Sequence, residues 1–154
     1  MSRDDLAVIG SIIDEWHGDA SETLVSIENA ISGETSWKYV VAEALNGQVL
    51  GIMGLATSGV NTDLIDSSAR TAELVSAYVT RAARGTGAGR ALADELEKMA
   101  TKLGYARLLI VSGSRNREYG YPFWRRRYGE PFRTDEDYFA PGAERVVWAK
   151  KLSK

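Results

Sequence analysis

Arg84-Gly85-Thr86-Gly87-Ala88-Gly89-Arg90 is the most informative run of residues in this chain. Glycine occupies every second position from 85 to 89 and an amphipathic segment follows, so the stretch predicts a turn of bare backbone that opens a helix. The first N–H groups of a helix lack partners, and the peptide dipoles add about half a positive charge there. The stretch is therefore expected to bind an anion such as a pyrophosphate through its backbone.

The segments around the glycine stretch predict a crossover between two parallel strands. Residues 72–79 before it and 107–111 after it are rich in apolar side chains. Between them, apolar residues recur at helical spacing up to Gly104, which is expected to end the helix; they are Leu92, Leu96, Met99, Ala100 and Leu103. A strand–helix–strand unit of this kind makes the strands parallel and places the glycine stretch at the carboxyl end of the first strand.

Glycine spacing excludes one kind of phosphate-binding loop and disfavours another. A mononucleotide P-loop needs Lys and then Ser or Thr after its last glycine, whereas Arg90 and Ala91 follow Gly89. A dinucleotide-binding fingerprint has the spacing G-x-G-x-x-G and an acidic residue at the end of the next strand. Here the spacing is G-x-G-x-G, and the next strand is predicted to end at Val111-Ser112-Gly113.

The pattern Arg-x-x-Gly-x-Gly at Arg84, Gly87 and Gly89, behind a strand that ends in Val79, resembles the acyl-CoA loop of the GNAT N-acetyltransferase superfamily. The resemblance covers residues 72–113 well and the rest from residue 46 onward more loosely. It implies one α/β domain of the α+β type over residues 1–154, with a mixed, twisted central sheet flanked by helices. Its parallel strands would splay at their carboxyl ends to form a cleft for the cosubstrate acetyl-CoA.

The same resemblance implies which residues bind the cosubstrate. The backbone amides of Tyr78 and Val79 would pair with the pantetheine arm and polarise the thioester. The pyrophosphate would lie on the loop residues Arg84, Gly85, Thr86, Gly87, Ala88, Gly89 and Arg90, with Arg84 at the motif position. Asn116 matches an asparagine that the family carries after the second strand.

Acylation of an amine needs a base, because an ordinary lysine-type amine with a pKa near 10.4 is only about 0.04% neutral at pH 7. Glu73 is the best candidate, since strand alternation puts it on the same side of the predicted strand as Val79. Its placement before Arg84 is similar to that of the catalytic glutamate in the histone acetyltransferase branch of the superfamily. The alternative is a structural ion pair between Glu73 and Arg70 or Arg107.

A departing thiolate benefits from a proton donor. The family's tyrosine donor would fall near Trp124, but an indole cannot protonate a thiolate. Tyr119, Tyr121, Tyr128 and water are the alternatives, and Tyr121 is the preferred side chain.

Composition excludes several other kinds of function. A chain of 154 residues with a net charge of −2 suits one domain and gives no electrostatic reason to expect a nucleic acid or an anionic membrane as partner. No apolar stretch approaches the roughly 18 residues that span a bilayer, and residues 1–5 do not open a signal peptide, so a cytoplasmic protein is expected.

The chain has no cysteine and a single histidine, His17. Disulfides, a thiolate nucleophile and thiolate or histidine-rich metal sites are therefore excluded, and no metal is expected. The acyl group is accordingly expected to pass directly from acetyl-CoA to its acceptor. His17 follows the first predicted helix and receives no catalytic role.

The N-terminal third predicts two helices and a hairpin. Helical spacing covers residues 4–16 and a second segment that begins near Asp19 or Ser21, with Ser21 as a candidate N-cap, and ends at Gly33. Residues 38–45 and 49–56 read as strands joined by a two-residue turn at Asn46-Gly47. The family usually has a strand before the two helices, and this sequence leaves hardly any room for it.

The C-terminus predicts a final hairpin around Pro141-Gly142, with residues 145–152 as its second strand. Two classes of function then follow from the resemblance. The first is an acetyltransferase that acts on a primary amine of a small molecule, peptide or protein, and the second is an acyl-CoA-binding sensor without turnover. Exposed strand edges in such folds often pair, so a homodimer is one expected state.

Overall fold

A computed structural model of the chain describes residues 1–17, 19–57, 61–64 and 70–153, with the backbone alone at residues 17 and 62. Its helices are α1 (Leu6–His17), α2 (Ser21–Ser32), α3 (Ala88–Lys102) and α4 (Gly120–Tyr128). Its strands are β1 (Lys38–Glu43), β2 (Val49–Ala56), β3 (Thr71–Val79), β4 (Arg107–Gly113), β5 (Arg133–Ala140) and β6 (Ala143–Lys151). Short 3-10 turns occur at Arg3–Asp5, Thr62–Leu64, Arg81–Ala83 and Ser114–Asn116.

The six strands form one mixed sheet in the order β1-β2-β3-β4-β6-β5. Only β3 and β4 are parallel among the paired neighbours, because α3 connects them as a crossover. The predicted mixed sheet flanked by helices and the predicted parallel crossover are thus confirmed. The structure has a 3-10 turn and α1 within residues 1–17, and no strand precedes α1 there.

Two layers of helices cover the sheet. On the face that we call the α3 face, α3 and α4 bury the largest apolar cluster, which includes Leu74, Leu96, Ile110, Trp124 and Trp148. On the opposite face, which we call the α1 face, α1 and α2 pack over β1, β2 and the end of β3 through a second cluster. Leu64, Leu109 and Val147 form a third cluster farther along the α1 face.

Local details differ from the sequence predictions. The turn between β1 and β2 has three residues rather than two, because Ala44 N–H donates to Gln48 O and Gly47 takes the left-handed conformation that this loop requires (φ 83°). Ser21 is not the N-cap of α2; Ala20 is, and the Asp19 carboxylate accepts hydrogen bonds from Ser21 instead. Leu103 is exposed, since it follows the last residue of α3.

Candidate functional site

β3 and β4 pair for only part of their length. Their register runs from Thr71 opposite Arg107 to Leu74 opposite Ile110, although β3 continues to Val79 and β4 to Gly113. Beyond Leu74 the strands separate and open a cleft of about 650 Å³. The predicted splay of the parallel strands is confirmed, and the glycine stretch lies at the mouth of this cleft.

A β-bulge at Ser76 changes which side chains face which side of the sheet. Ile52 of β2 lies opposite Tyr78, whereas Gly54 lies opposite Val75, so β3 carries one extra residue and Ser76 has a φ of 53°. Val79 consequently packs on the α3 face, while Glu73, between Ala72 and Leu74, points to the α1 face. The prediction that Glu73 and Val79 share a side is wrong, because alternation restarts at the bulge.

The backbone of Val79 is directed into the cleft. Thr80 N–H donates to Leu50 O (2.8 Å), and in an antiparallel pair the neighbouring residue then directs its N–H and C=O away from the partner strand. The indole N–H of Trp16, at the end of α1, donates to the Val79 carbonyl at 3.0 Å. Tyr78 is instead the residue that pairs with Ile52 of β2. Both Tyr78 and Val79 line the cleft.

The glycine stretch forms the open start of α3. Gly87 is its N-cap with a φ of 92°, a conformation that favours glycine, and no side chain caps the helix. The first α-helical bond runs from Ala91 N–H to Gly87 O (3.0 Å), so the amides of residues 87–90 precede the helical ladder. Gly85, Gly87, Ala88, Gly89 and Arg90 line the cleft.

Thr86 lies in the same loop but is not among the residues that line the cleft. Its hydroxyl donates to the carbonyl oxygen of Ala83. Arg81 is turned away as well, because it bonds Glu15 at the end of α1 through both its amide and its guanidinium.

Arg84 is held between two aromatic rings. Its guanidinium carbon lies 3.9 Å from the ring centre of Trp16 and 3.7 Å from that of Tyr119. Its Nε and Nη2 atoms are buried and have no hydrogen-bond partner among the described residues. The stack therefore presents a preorganised cation at the cleft, next to the amides of the glycine loop.

Glu73 is a buried carboxylate in the cleft, with only 6% of its surface exposed. Asn61 Nδ2 donates to its Oε1 at 2.8 Å, whereas its Oε2 is buried without a partner among the described residues. Burial raises the pKa of Glu73 to about 7, against the lowering effects of the Asn61 hydrogen bond and the Arg145 charge.

The alternative ion pairs of Glu73 do not form. Arg70 donates to Leu103 O at 2.6 Å, and Arg107 approaches Leu64 O at 3.5 Å. Glu73 is therefore a titratable group poised near neutral pH and not half of a surface salt bridge.

The three candidate tyrosines lie in different surroundings. Tyr121 is buried, and its hydroxyl donates to Glu144 at 3.2 Å; burial is the main cause that raises its pKa to about 12. The Tyr128 hydroxyl donates to Glu97 at 3.0 Å. Neither lies among the residues that line the cleft, whereas Tyr119 does.

Trp124 and Asn116 also line the cleft. The Trp124 ring stacks on Tyr128, with ring centroids 5.9 Å apart and planes inclined by 13°. The indole thus stands at the position where the resemblance implies a tyrosine.

Sequence reasoning missed three residues that complete the site: Trp16, Asn61 and Arg145. Trp16 reads as one more apolar residue of a helical face, and Asn61 as a loop residue. Their contacts join segments far apart in the chain, so no local pattern signals them. Arg145 directly precedes the apolar run 146–149, but Lys150 and Lys151 follow that run, so the sequence does not single Arg145 out.

Two kinds of feature are not found in the described part of the chain. No group of three or more His, Cys, Asp or Glu side chains there has the arrangement of a metal site. No helix among the same residues has the length and apolar character needed to cross a bilayer.

Comparison with known proteins places the chain in a family. The sequence model of the acetyltransferase (GNAT) family matches residues 10–129. The chain therefore belongs to the GNAT family of acetyl-CoA-dependent N-acetyltransferases, whose cosubstrate is acetyl-CoA. A search of curated protein sequences finds no match.

Solved structures share the fold at low sequence identity. A GCN5-related N-acetyltransferase from Kribbella flavida has a TM-score of 0.77 and 18% identity, with 99% of this chain and 95% of that chain covered. A ribosomal-protein-alanine N-acetyltransferase from Brucella melitensis has a TM-score of 0.74 and 21% identity, with 99% and 97% covered. A Salmonella typhimurium protein, assigned as an acetyltransferase and solved with its cofactor acetyl-CoA, has a TM-score of 0.75 and 19% identity, with 100% and 92% covered.

Proposed function

We propose that this protein transfers the acetyl group of acetyl-CoA directly to a primary amine of a small molecule, peptide or protein, with Glu73 as the general base. The observation that carries the proposal is the free Oε2 of Glu73, buried in the same cleft as the backbone of Val79 and the open start of α3. Membership of the GNAT family identifies acetyl-CoA as the acetyl donor. The buried carboxylate of Glu73 provides the base that acylation of an amine needs.

The residues present fit acetyl-CoA. The amides of residues 87–90 and the guanidinium of Arg84 would hold the pyrophosphate, because both offer unsatisfied donors and belong to residues that line the cleft. The backbone of Val79 would hold the pantetheine arm, and Asn116 lines the same cleft. When bound, acetyl-CoA supplies a thioester carbonyl carbon as the electrophile.

Glu73 would prepare the acceptor. Its Oε2 takes a proton from the incoming ammonium group, the N–H bond breaks, and the neutral amine keeps the lone pair that attacks the thioester carbon. A pKa of about 7 suits this step, because a general base works best when its pKa lies close to the working pH.

The leaving thiolate receives its proton from water or from Tyr119 in this proposal. Tyr119 is the candidate tyrosine that lines the cleft. Tyr121 is a poorer donor, because its hydroxyl is engaged by Glu144 and its pKa of about 12 lies well above that of an ordinary thiol.

A sensor that binds acetyl-CoA without turnover is the second candidate, and the indole of Trp124 at the family's tyrosine position favours it. Release of free thiol from acetyl-CoA, measured against a panel of small amines, amino acids, peptides and polyamines, separates the two. Amine-dependent release that Glu73→Gln abolishes supports the enzyme. Tight CoA binding without amine-dependent release supports the sensor.

Two other expectations stay predictions. One is a homodimer, for which β1 and β5 are the edge strands of the sheet. The other is a cytoplasmic location.

A further inference from the structure

Arg145 is a fully buried cation in β6 that makes no contact with solvent. Its guanidinium donates to Asp63 (2.8 and 3.2 Å) and to Asp135 (2.9 Å), and its carbon lies 3.9 Å from the ring centre of Tyr138. The remaining hydrogen bond runs from Nη1 to Asn61 Oδ1 at 3.3 Å. A buried arginine with two carboxylates and a ring is fixed in place, so its donors point in set directions.

The chemistry of these groups settles the orientation of the Asn61 amide. A guanidinium has only donors, so the group of Asn61 that faces Arg145 must be the carbonyl oxygen. The NH2 group of Asn61 then faces Glu73, where it donates to Oε1 at 2.8 Å. The reverse orientation would set two donors against each other at Arg145 and two acceptors against each other at Glu73.

We propose that Arg145 is a positioning residue for the general base: through Asn61 it holds Glu73 by Oε1 and leaves Oε2 as the atom that receives the proton of the acceptor amine. Asn61 is the direct link in this chain of contacts. The inference rests on the proposed role of Glu73, and it adds that β6, on the far side of β4, controls the orientation and acidity of a carboxylate in β3.

Few other charges face Glu73 in the described residues. Its strand neighbours in register, Ala56 of β2 and Leu109 of β4, are apolar. The segment 61–64 brings Asn61 and Asp63, β5 brings Asp135, β6 brings Arg145, and Arg107 of β4 is directed to Leu64 O. Both aspartates are bound to Arg145, so the amide and that guanidinium are the groups that favour the charged carboxylate.

The test is a titration of Glu73 itself in the full chain. Carbon-13 NMR of protein labelled at the glutamate carboxyl carbons follows each glutamate against pH, and the resonance missing in Glu73→Gln identifies Glu73. In Asn61→Ala the midpoint is expected about one pH unit higher than in the wild type, because a hydrogen bond to the charged form is lost. Asn61→Asp, which places a second carboxylate there, is expected to raise it further.

Arg145→Lys separates positioning from charge. It keeps the charge but cannot hold Asp63, Asp135 and Asn61 together, so the Glu73 midpoint should also rise. Asn46→Ala, which removes an amide from the exposed turn between β1 and β2, is the matched control and should leave the midpoint unchanged. A Glu73 midpoint unmoved in either Asn61→Ala or Arg145→Lys overturns the proposal. If Arg145→Lys does not fold, Asp63→Asn, which removes one carboxylate that holds the guanidinium, takes its place and should also move the midpoint.

Kinetics supply an independent readout when the amine panel yields an acceptor. The acidic limb of the pH profile of kcat should move upward in Asn61→Ala together with the NMR midpoint, while KM for acetyl-CoA stays at the wild-type value. A variant that changes KM for acetyl-CoA but not the pH profile would contradict positioning. Because the NMR titration needs no acceptor, failure of the proposed function leaves this proposal open to its own test.

Discussion

The indole N–H of Trp16 donates a 3.0 Å hydrogen bond to the carbonyl oxygen of Val79, the backbone group that points into the cleft between β3 and β4. The same ring stacks on Arg84. The Trp16 side chain therefore uses a backbone carbonyl of the candidate cofactor site as its hydrogen-bond acceptor, and its ring also packs against the Arg84 guanidinium of that site.

These two contacts predict opposite effects of two substitutions. Trp16→Phe keeps an aromatic ring on Arg84 and frees the Val79 carbonyl, so CoA should bind about fivefold more tightly, the value of one net hydrogen bond. Trp16→Ala also loses the ring and should bind more weakly. Calorimetric titration with CoA measures both, and equal affinity in wild type and Trp16→Phe would show that pantetheine does not use this carbonyl.

The rate of acetyl transfer should depend on pH through Glu73. With a pKa of about 7, the carboxylate is mostly protonated at pH 6, so kcat should rise about tenfold per pH unit below 7 and level off above it. Glu73→Gln should lower kcat at pH 8 about 100-fold and remove the levelling-off near pH 7, because only the ionisation of the amine itself then sets the pH dependence. Profiles of both proteins at saturating acetyl-CoA check this, and a Gln variant with the wild-type profile would remove Glu73 from the mechanism.

The buried carboxylate of Glu73 should lower the free energy of unfolding when the pH is above 4.5. Its pKa is raised from 4.5 to about 7 on folding, so between these values the folded state retains a proton that the unfolded state has lost. Stability should therefore fall as the pH rises from 4.5 to 7, by at most about 3 kcal/mol, and stay level above 7. Glu73→Gln has no titratable group at this position, so its stability should not fall in this way. Urea denaturation at pH 5 and pH 8 should show a larger advantage of the variant at pH 8; equal advantages would contradict it.

Two substitutions at Gly87 should distinguish the effect of backbone strain on CoA affinity from the effect of charge. Its φ of 92° costs any other residue about 1 to 2 kcal/mol, and an added Cβ would meet no atom within 4 Å. Gly87→Ala should therefore weaken CoA binding only modestly. Gly87→Glu, which adds a negative charge beside the helix start, should weaken it more than about 100-fold. Calorimetry gives both affinities, with circular dichroism as the check that each variant is folded; similar losses would indicate strain alone.

Tyr121 and Tyr119 can be compared directly as proton donors. Tyr121→Phe should lose about 1 kcal/mol of stability with its bond to Glu144 and retain kcat within about twofold. Tyr119→Phe keeps the ring on Arg84, so a fall in its kcat would identify a hydroxyl that donates a proton. Rates from single-turnover thiol release decide, and a large loss in Tyr121→Phe would restore it as the general acid.

Much of the fold was predictable because its signals are local. The glycine stretch, the helical spacing of α3 and the apolar runs around it predict the parallel crossover, and β2 begins and ends at the predicted residues. Glu73 was also found as a base candidate from the sequence. Its orientation was not, because a bulge arises from the pairing of β3 with β2 and leaves no pattern in β3 itself.

The contacts around the site were the least predictable part. Asn61 contacts Glu73 from the segment 61–64, Arg145 contacts Asn61 from β6, and Trp16 contacts Val79 from the end of α1. Such contacts depend on how whole elements pack.

The extra residue at Ser76 has a consequence for how two residues of β3 are arranged about one cleft. The Glu73 side chain faces the α1 side of the sheet and that of Val79 packs on the α3 side, although both residues line the same cleft. A carboxylate and an apolar side chain six residues apart therefore face opposite surfaces of one strand. Deleting Ser76 would remove the bulge, and the alternation of β3 would then bring both side chains to one side of the sheet.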